Sequence, residues 1–249
     1  MISGNQDIKI FSTAESAAES LAHFFYKMSD EYYRSNKILY AALSGGNTPK
    51  IFFNKLVERY KEKIKWNYIR FFWVDERCVP PTDHESNYGM TKQYLLDKIQ
   101  IPAENIYRIM GENDPSKEAE RYSSVIKYTI LARNNLPSFD LIILGMGDDG
   151  HTASIFPDQL HLIRSEKICE LAVNPVTSQG RITLTGKVIN NSSLIIFFVT
   201  GENKSKVLAE ILNFSNSSSS FPAAYIKPVN GKLSWYLDKD AAVNLQSLQ

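Results

Sequence analysis

The chain has 249 residues, 43% of them hydrophobic, which is ample for a buried core and excludes a disordered class. Lys and Arg total 28 against 27 Asp and Glu, so the net charge of +1 supplies no global field for nucleic acid or an anionic membrane, and any anionic ligand must be held by local cations. Cys78 and Cys169 lie far apart without a CxxC or Cys/His ligand spacing, which argues against a zinc ribbon or disulfide scaffold and suits a reducing cytoplasm.

The first residues carry no basic segment followed by an unbroken apolar stretch, and no apolar run is long enough to span a bilayer, so a cytoplasmic protein without membrane contact is expected. Short β-branched, apolar runs predict strands at Ile8–Phe11, Ile38–Leu43, Ile69–Val74, Phe139–Leu144, Ile168–Val173, Leu194–Thr200 and Leu233–Leu237. Between them, helical periodicity predicts helices at Ala14–Tyr33, Pro49–Tyr60, Tyr88–Ile99, Lys117–Ala132 and Asn203–Leu212, the second opening on Thr48 as N-cap and Pro49 as first helical residue. The alternation is that of an α/β fold, Rossmann-like, with a mostly parallel sheet and helices on both faces, and residues 1–249 are taken as one domain. The polar run from Asn213 to Ser220 reads as an exposed loop rather than a linker.

In such sheets ligands bind beyond the carboxyl ends of the strands, and three segments there are chemically unusual. Ser44-Gly45-Gly46-Asn47-Thr48-Pro49 passes from a buried strand into a helix. Its paired glycines allow close approach of the backbone, and free N–H groups with the positive end of the helix dipole favour an anion such as phosphate, although a plain tight turn would use similar residues. Asp75-Glu76-Arg77 ends a hydrophobic strand with three charges, followed by Ser86-Asn87. Arg77 offers a planar donor fork for a phosphate or oxyanion and Asp75 a base or hydroxyl acceptor; the bland alternative is an Asp/Arg pair on the surface.

The third segment, Gly145-Met146-Gly147-Asp148-Asp149-Gly150-His151-Thr152-Ala153-Ser154-Ile155-Phe156-Pro157, contains G-x-G-x-x-G after a strand. It does not read as a dinucleotide site, because Pro157 stops the helix that should follow and two aspartates stand where a pyrophosphate needs neutral donors. It reads instead as a glycine cradle presenting the imidazole of His151, with the aspartates fixing its tautomer or binding sugar hydroxyls. A metal site from Asp148, Asp149, His151 and His161 lacks a compact ligand pair at helical spacing, and no metal or organic cofactor is expected. Neither G-x-S-x-G nor an activated cysteine is present, so no covalent nucleophile is expected either.

Together, Ser44–Pro49, Asp75–Arg77 with Ser86-Asn87, and Gly145–Pro157 resemble, in order and approximate spacing, the family of glucosamine-6-phosphate isomerases and 6-phosphogluconolactonases. Arg181–Thr185, Val199–Lys204, Pro222–Ile226 and Trp235–Asp238 extend the resemblance over nearly the whole chain. It implies a NagB/RpiA/CoA-transferase-like arrangement and, from the lactonase branch, hydrolysis of 6-phospho-D-glucono-1,5-lactone to 6-phosphogluconate in the oxidative pentose phosphate pathway. It also implies roles: His151 activates water, Asp75 assists near the ring, and the phosphate is held by Ser44, Gly45, Gly46, Arg77 and Lys204. Thr48, Asn87, Gly147, Asp149 and Arg181 complete the expected binding set, Arg181 in the second tier. The deaminases of the family resemble Asp-Glu-Tyr where this chain has Asp75-Glu76-Arg77, and their histidine loop continues with an Asn-Glu pair that is absent after His151. A non-catalytic sugar-phosphate regulator is the rival from outside enzymology. The expected partner is a small-molecule substrate, the expected assembly a monomer or weak homodimer, and whether Asp75 or a loop aspartate partners His151 stays open.

Overall fold

The computed structural model describes residues 6–213 and 216–245. In chain order the elements are β1 (Gln6–Phe11), α1 (Ala14–Arg34), β2 (Leu39–Leu43), α2 (Asn47–Tyr60), β3 (Ile69–Trp73), β4 (Asp75–Arg77) and α3 (Asn87–Tyr94). There follow β5 (Ile106–Tyr107), α4 (Pro115–Thr129), the short hairpin β6 (Ala132–Arg133) and β7 (Leu136–Pro137), and β8 (Leu141–Leu144). The remainder comprises α5 (His161–Arg164), β9 (Cys169–Val173), β10 (Gly180–Leu184), α6 (Gly186–Asn190), β11 (Leu194–Val199), α7 (Ser205–Leu212) and β12 (Lys232–Asp238).

Seven strands form a central sheet in the order β1-β12-β11-β8-β2-β3-β5, every neighbouring pair parallel. The continuous apolar runs Leu141–Leu144 and Leu194–Val199 are the signature of strands covered on both faces, and all of β8 is buried. Aromatic packing fills the core: Phe197 stacks on Trp235 at 4.1 Å between ring centroids, and Phe72 on Tyr107 at 4.6 Å. From β2 the chain moves outward to β3 and β5, whereas from β8 it moves the other way to β11 and β12. The β2–β8 boundary is therefore the switch point at which successive connections diverge and leave a crevice.

The predicted strand at Ile168–Val173 exists as β9, but it does not join the parallel series. It pairs antiparallel with β10, which pairs antiparallel with β4, as a separate three-stranded sheet. Val74 is the corner between the two sheets, its N–H donating to the Leu43 carbonyl and its carbonyl accepting from the Leu184 N–H.

Several helix boundaries also differ from expectation. The second helix begins at Asn47 with Gly46 as cap, not at Pro49 with Thr48 as cap, because Gly46 at φ 99 turns the chain into the helix early. The third ends at Tyr94, and the stretch to Lys98 tightens into a 3₁₀ turn after Leu95 leaves helical dihedrals. The fourth opens earlier, on Asp114 as cap with Pro115 following, the favoured order for a helix start. The polar segment expected as a loop contains a 3₁₀ turn at Asn216–Ser220, with Asn213 before it and residues 214–215 outside the described residues.

Candidate active site

Four loops at the carboxyl ends of β2, β3, β8 and β11 surround a cleft of about 440 Å³. Ser44, Gly45, Gly46, Thr48, Asp75, Arg77, Asn87, Gly147, His151 and Lys204 all line it, so ten of the twelve residues singled out in the sequence meet in one place.

The β2–α2 loop contributes a helix N-terminus that no side chain caps. The hydroxyl of Thr48 is instead 3.0 Å from that of Thr200 across the cleft wall. Gly45 is required by proximity, since a Cβ there would stand 1.8 Å from Asn87 Oδ1. The side-chain oxygens of Ser44 and Asn87 are buried without a hydrogen-bond partner among the described residues, as is Arg77 Nε. Buried polar atoms are seldom left unpaired, so three of them on the walls of one cleft point to a polar ligand that completes them.

Asp75 and Arg77 do not form the surface pair that was the bland expectation. Asp75 is 6% exposed and accepts a hydrogen bond from Ser154 Oγ at 2.7 Å, whereas Arg77 Nη1 donates to the Glu85 carbonyl. Between them, Glu76 turns inward and accepts from the N–H groups of Arg77, Asn87 and Tyr88 and from the Ser86 hydroxyl. Burial pushes the Glu76 carboxyl up to about 6, against the downward pull of those backbone donors.

In the β8 loop the Asp149 carboxylate accepts from His151 twice, from the backbone N–H at 3.0 Å and at ring Nδ1 at 2.6 Å. Burial raises the Asp149 carboxyl, but the ring and backbone bonds and charge of His151 outweigh it and hold the group below the ordinary carboxylate range. An ionised carboxylate only accepts, so Nδ1 carries the hydrogen and Nε2 keeps a basic lone pair. The imidazole rests on Phe156 at 4.9 Å, and Gly147 is needed beneath it, because a Cβ there would lie 2.2 Å from Nδ1. The loop aspartate, not Asp75, is thus the partner of His151. No helix of dinucleotide type follows this loop; Pro157 opens a single 3₁₀ turn.

Asp149 lies behind the imidazole rather than on the lining, and Arg181 is the residue that the cleft does not gather. It faces Arg77 in the β10–β4 register with its Nε buried and unpartnered, and burial together with the Arg77 charge lowers its pKa. Sequence reasoning passed over Thr200, Asn203 and Ala153, which also line the cleft, and Glu76 and Ser154, which lie beneath it. Thr200 closes a predicted strand and Asn203 follows it, so both could have been found by the rule that located the other loops. The contacts of Glu76 and Ser154 are set by tertiary pairing and had no local signal.

The fold and the cleft define an α/β protein that gathers an uncapped helix N-terminus, two cations and an oriented imidazole in one cleft. The chain belongs to the family of glucosamine-6-phosphate isomerases and 6-phosphogluconolactonases, whose family model matches residues 12–235. It is 44% identical over 236 residues to a 6-phosphogluconolactonase of Haemophilus influenzae, covering 94% of this chain and 97% of that one. The solved structure of 6-phosphogluconolactonase from Trypanosoma brucei is similar at a TM-score of 0.88 and 26% identity, with 98% of this chain and 100% of that chain covered. A monomeric glucosamine-6-phosphate deaminase shares the fold at a TM-score of 0.81 and 18% identity, covering 96% and 99%.

Proposed function

We propose that this chain is a carboxylic ester hydrolase that opens 6-phospho-D-glucono-1,5-lactone to 6-phosphogluconate. The observation that carries the reading is the placement of a tautomer-fixed His151 in the same cleft as an uncapped helix start, Arg77 and Lys204. The names and extent of its relatives support the lactone as substrate.

The phosphate docks on the N–H groups of the Ser44–Gly46 loop with Arg77 and Lys204 as counter-charges, which orients the ring. Water attacks C1, and His151 Nε2 takes its proton as the C–O bond forms. The resulting oxyanion collapses, the bond from C1 to the ring oxygen breaks, and the proton held by His151 passes to that oxygen. No covalent intermediate is needed, because a δ-lactone is an activated ester and general-base help contributes about 10² to 10⁴-fold. Asp75 orients the attacking water or a ring hydroxyl. The two free thiols and the metabolic nature of the substrate fit a cytoplasmic enzyme.

Acid release from freshly prepared phosphogluconolactone, followed in a pH-stat above the spontaneous background, tests the reading. His151→Ala should lower kcat by about 10² to 10⁴-fold. Activity within a few-fold of the parent would remove His151 as the base, and binding without faster acid release by the parent would leave a regulator instead.

A further inference from the structure

We propose that Ser154 is a positioning residue for the reaction, holding the Asp75 carboxylate in its working orientation through a hydrogen bond that links the histidine loop to β4. The proposal rests on the role for Asp75 given above and adds how that role is maintained.

Asp75 and Ser154 are both buried, at 6% and 1% exposure. The Ser154 hydroxyl donates to Asp75 Oδ2 at 2.7 Å, a short bond of the charge-assisted kind. No salt bridge to Asp75 occurs among the described residues, the Arg181 charge acting on it from β10 without pairing, and Arg77, two positions along the same strand, gives its Nη1 to the Glu85 carbonyl rather than to Asp75. The bond to Oδ2 is the side-chain hydrogen bond that the described residues give to this carboxylate, while the acid itself lines the cleft. A single hydroxyl thus sets the plane of the carboxylate and leaves its other oxygen for the ligand.

Ser154 is itself anchored. Its backbone N–H donates to Thr183 Oγ1 at 3.2 Å, and that hydroxyl donates to the Leu184 carbonyl at 3.0 Å. Thr183 is the residue opposite Asp75 in the β10–β4 register, so acid and anchor share one rung of the small sheet and the loop serine is tied to both. The loop is shaped for this contact. Ala153 takes φ 51, a left-handed conformation unfavourable for a residue with a Cβ, within a turn closed by the bridge of Thr152 to Ile155. Across that turn Ala153 lines the cleft while Ser154 reaches Asp75 below it. Strain retained next to His151 has a purpose if the turn must deliver one hydroxyl to one carboxylate.

A neutral donor also suits the chemistry. A lysine or arginine in this place would neutralise Asp75, whereas a hydroxyl aims it and leaves its charge available to the reacting water or ring hydroxyl.

The test compares Ser154→Ala, Ser154→Thr, Asp75→Asn and the double variant Ser154→Ala/Asp75→Asn, with thermal unfolding to confirm that each is folded. Ser154→Ala should lower kcat by about 10- to 100-fold with KM changed less than about threefold, the split expected when a group that acts in the reaction step loses its orientation while binding is kept. Ser154→Thr, which keeps the hydroxyl, should recover most of the loss. In the Asp75→Asn background the further change to Ala should cost less than about twofold, since residues acting through one another are non-additive. Full activity in Ser154→Ala, or a loss that persists undiminished in the Asp75→Asn background, overturns the proposal. Wild-type kcat in Asp75→Asn alone would overturn the role of Asp75 itself, and that outcome is distinguishable because it is read in a variant that retains Ser154.

Discussion

At the scale of single residues the site is a set of carboxylates with different work. Asp149 accepts from His151, Asp75 accepts from Ser154 and lines the cleft, and Glu76 points away from the cleft to accept four donors from β4 and the start of α3. Glu76 ties Arg77 and Asn87 to one buried anchor, and its ionised form is costly to bury. The folded carboxyl titrates at about 6 against an ordinary 4.5, so its contribution to stability is fully present below about 4.5 and is lost as pH rises through about 6. That shift corresponds to about 2 kcal/mol. Urea unfolding of the parent and of Glu76→Gln between pH 4.5 and 7 should therefore differ in slope: the parent carries a component that weakens with rising pH, and the variant does not. The glutamine amide cannot accept all four donors, so the variant should be less stable at both ends of the range while its pH dependence is flatter. Parallel curves would mean that the Glu76 carboxyl titrates alike in the folded and unfolded chain, its four donors offsetting its burial.

At the scale of elements, two adjacent glycines show how a loop divides its tasks. Gly45 has no room for a methyl group because Asn87 occupies the space, whereas nothing lies within 4 Å of the position a Cβ would take at Gly46, whose φ of 99 is the constraint. Gly45→Ala should displace Asn87 from its bond to the Asp75 carbonyl and raise KM for the phosphorylated lactone by about tenfold or more, with a smaller effect on stability. Gly46→Ala should do the reverse in part, lowering stability by about 1–2 kcal/mol through left-handed strain. Steady-state kinetics and thermal unfolding of the two variants separate the effects, and equal KM values would contradict the division. The glycines themselves were legible in the sequence, because an anion loop before a helix has a local composition. Their separate reasons were not, since Asn87 reaches Gly45 only through the fold. The same contrast holds for the strands. Six of the seven strands of the large sheet contain an apolar run that predicts them, whereas β5, only Ile106 and Tyr107, is too short to register; in the small sheet β4 is three charged residues and β10 mixes Gly, Arg and Thr with apolar positions, so the pair carrying Asp75 and Thr183 had no periodicity to read.

At the scale of the whole molecule, the parallel sheet explains why residues separated by more than a hundred positions meet. Strands β2, β3, β8 and β11 all run the same way, so each delivers its following loop to one edge, and the divergence between β2 and β8 opens the cleft there. The order of the strands could not be obtained from the chain, but the common edge could, and that is why the site was easier to foresee than the topology. Charge behaves in the same local way. With a net charge of +1 the molecule has no long-range field to attract a phosphorylated substrate, and attraction must come from Arg77, Lys204 and the start of α2 at short range. Screening acts on such contacts only when the Debye length falls toward their own dimensions, from about 10 Å at 0.1 M to about 3 Å at 1 M salt. KM for the phosphorylated lactone should consequently rise by about two- to tenfold as sodium chloride is increased over that range, with kcat changed little. Unphosphorylated glucono-δ-lactone should show no such rise, and Lys204→Ala should have a raised KM with a shallower salt dependence. A KM that ignores salt, or that rises equally for both lactones, would show that the cleft does not bind the phosphate through these charges.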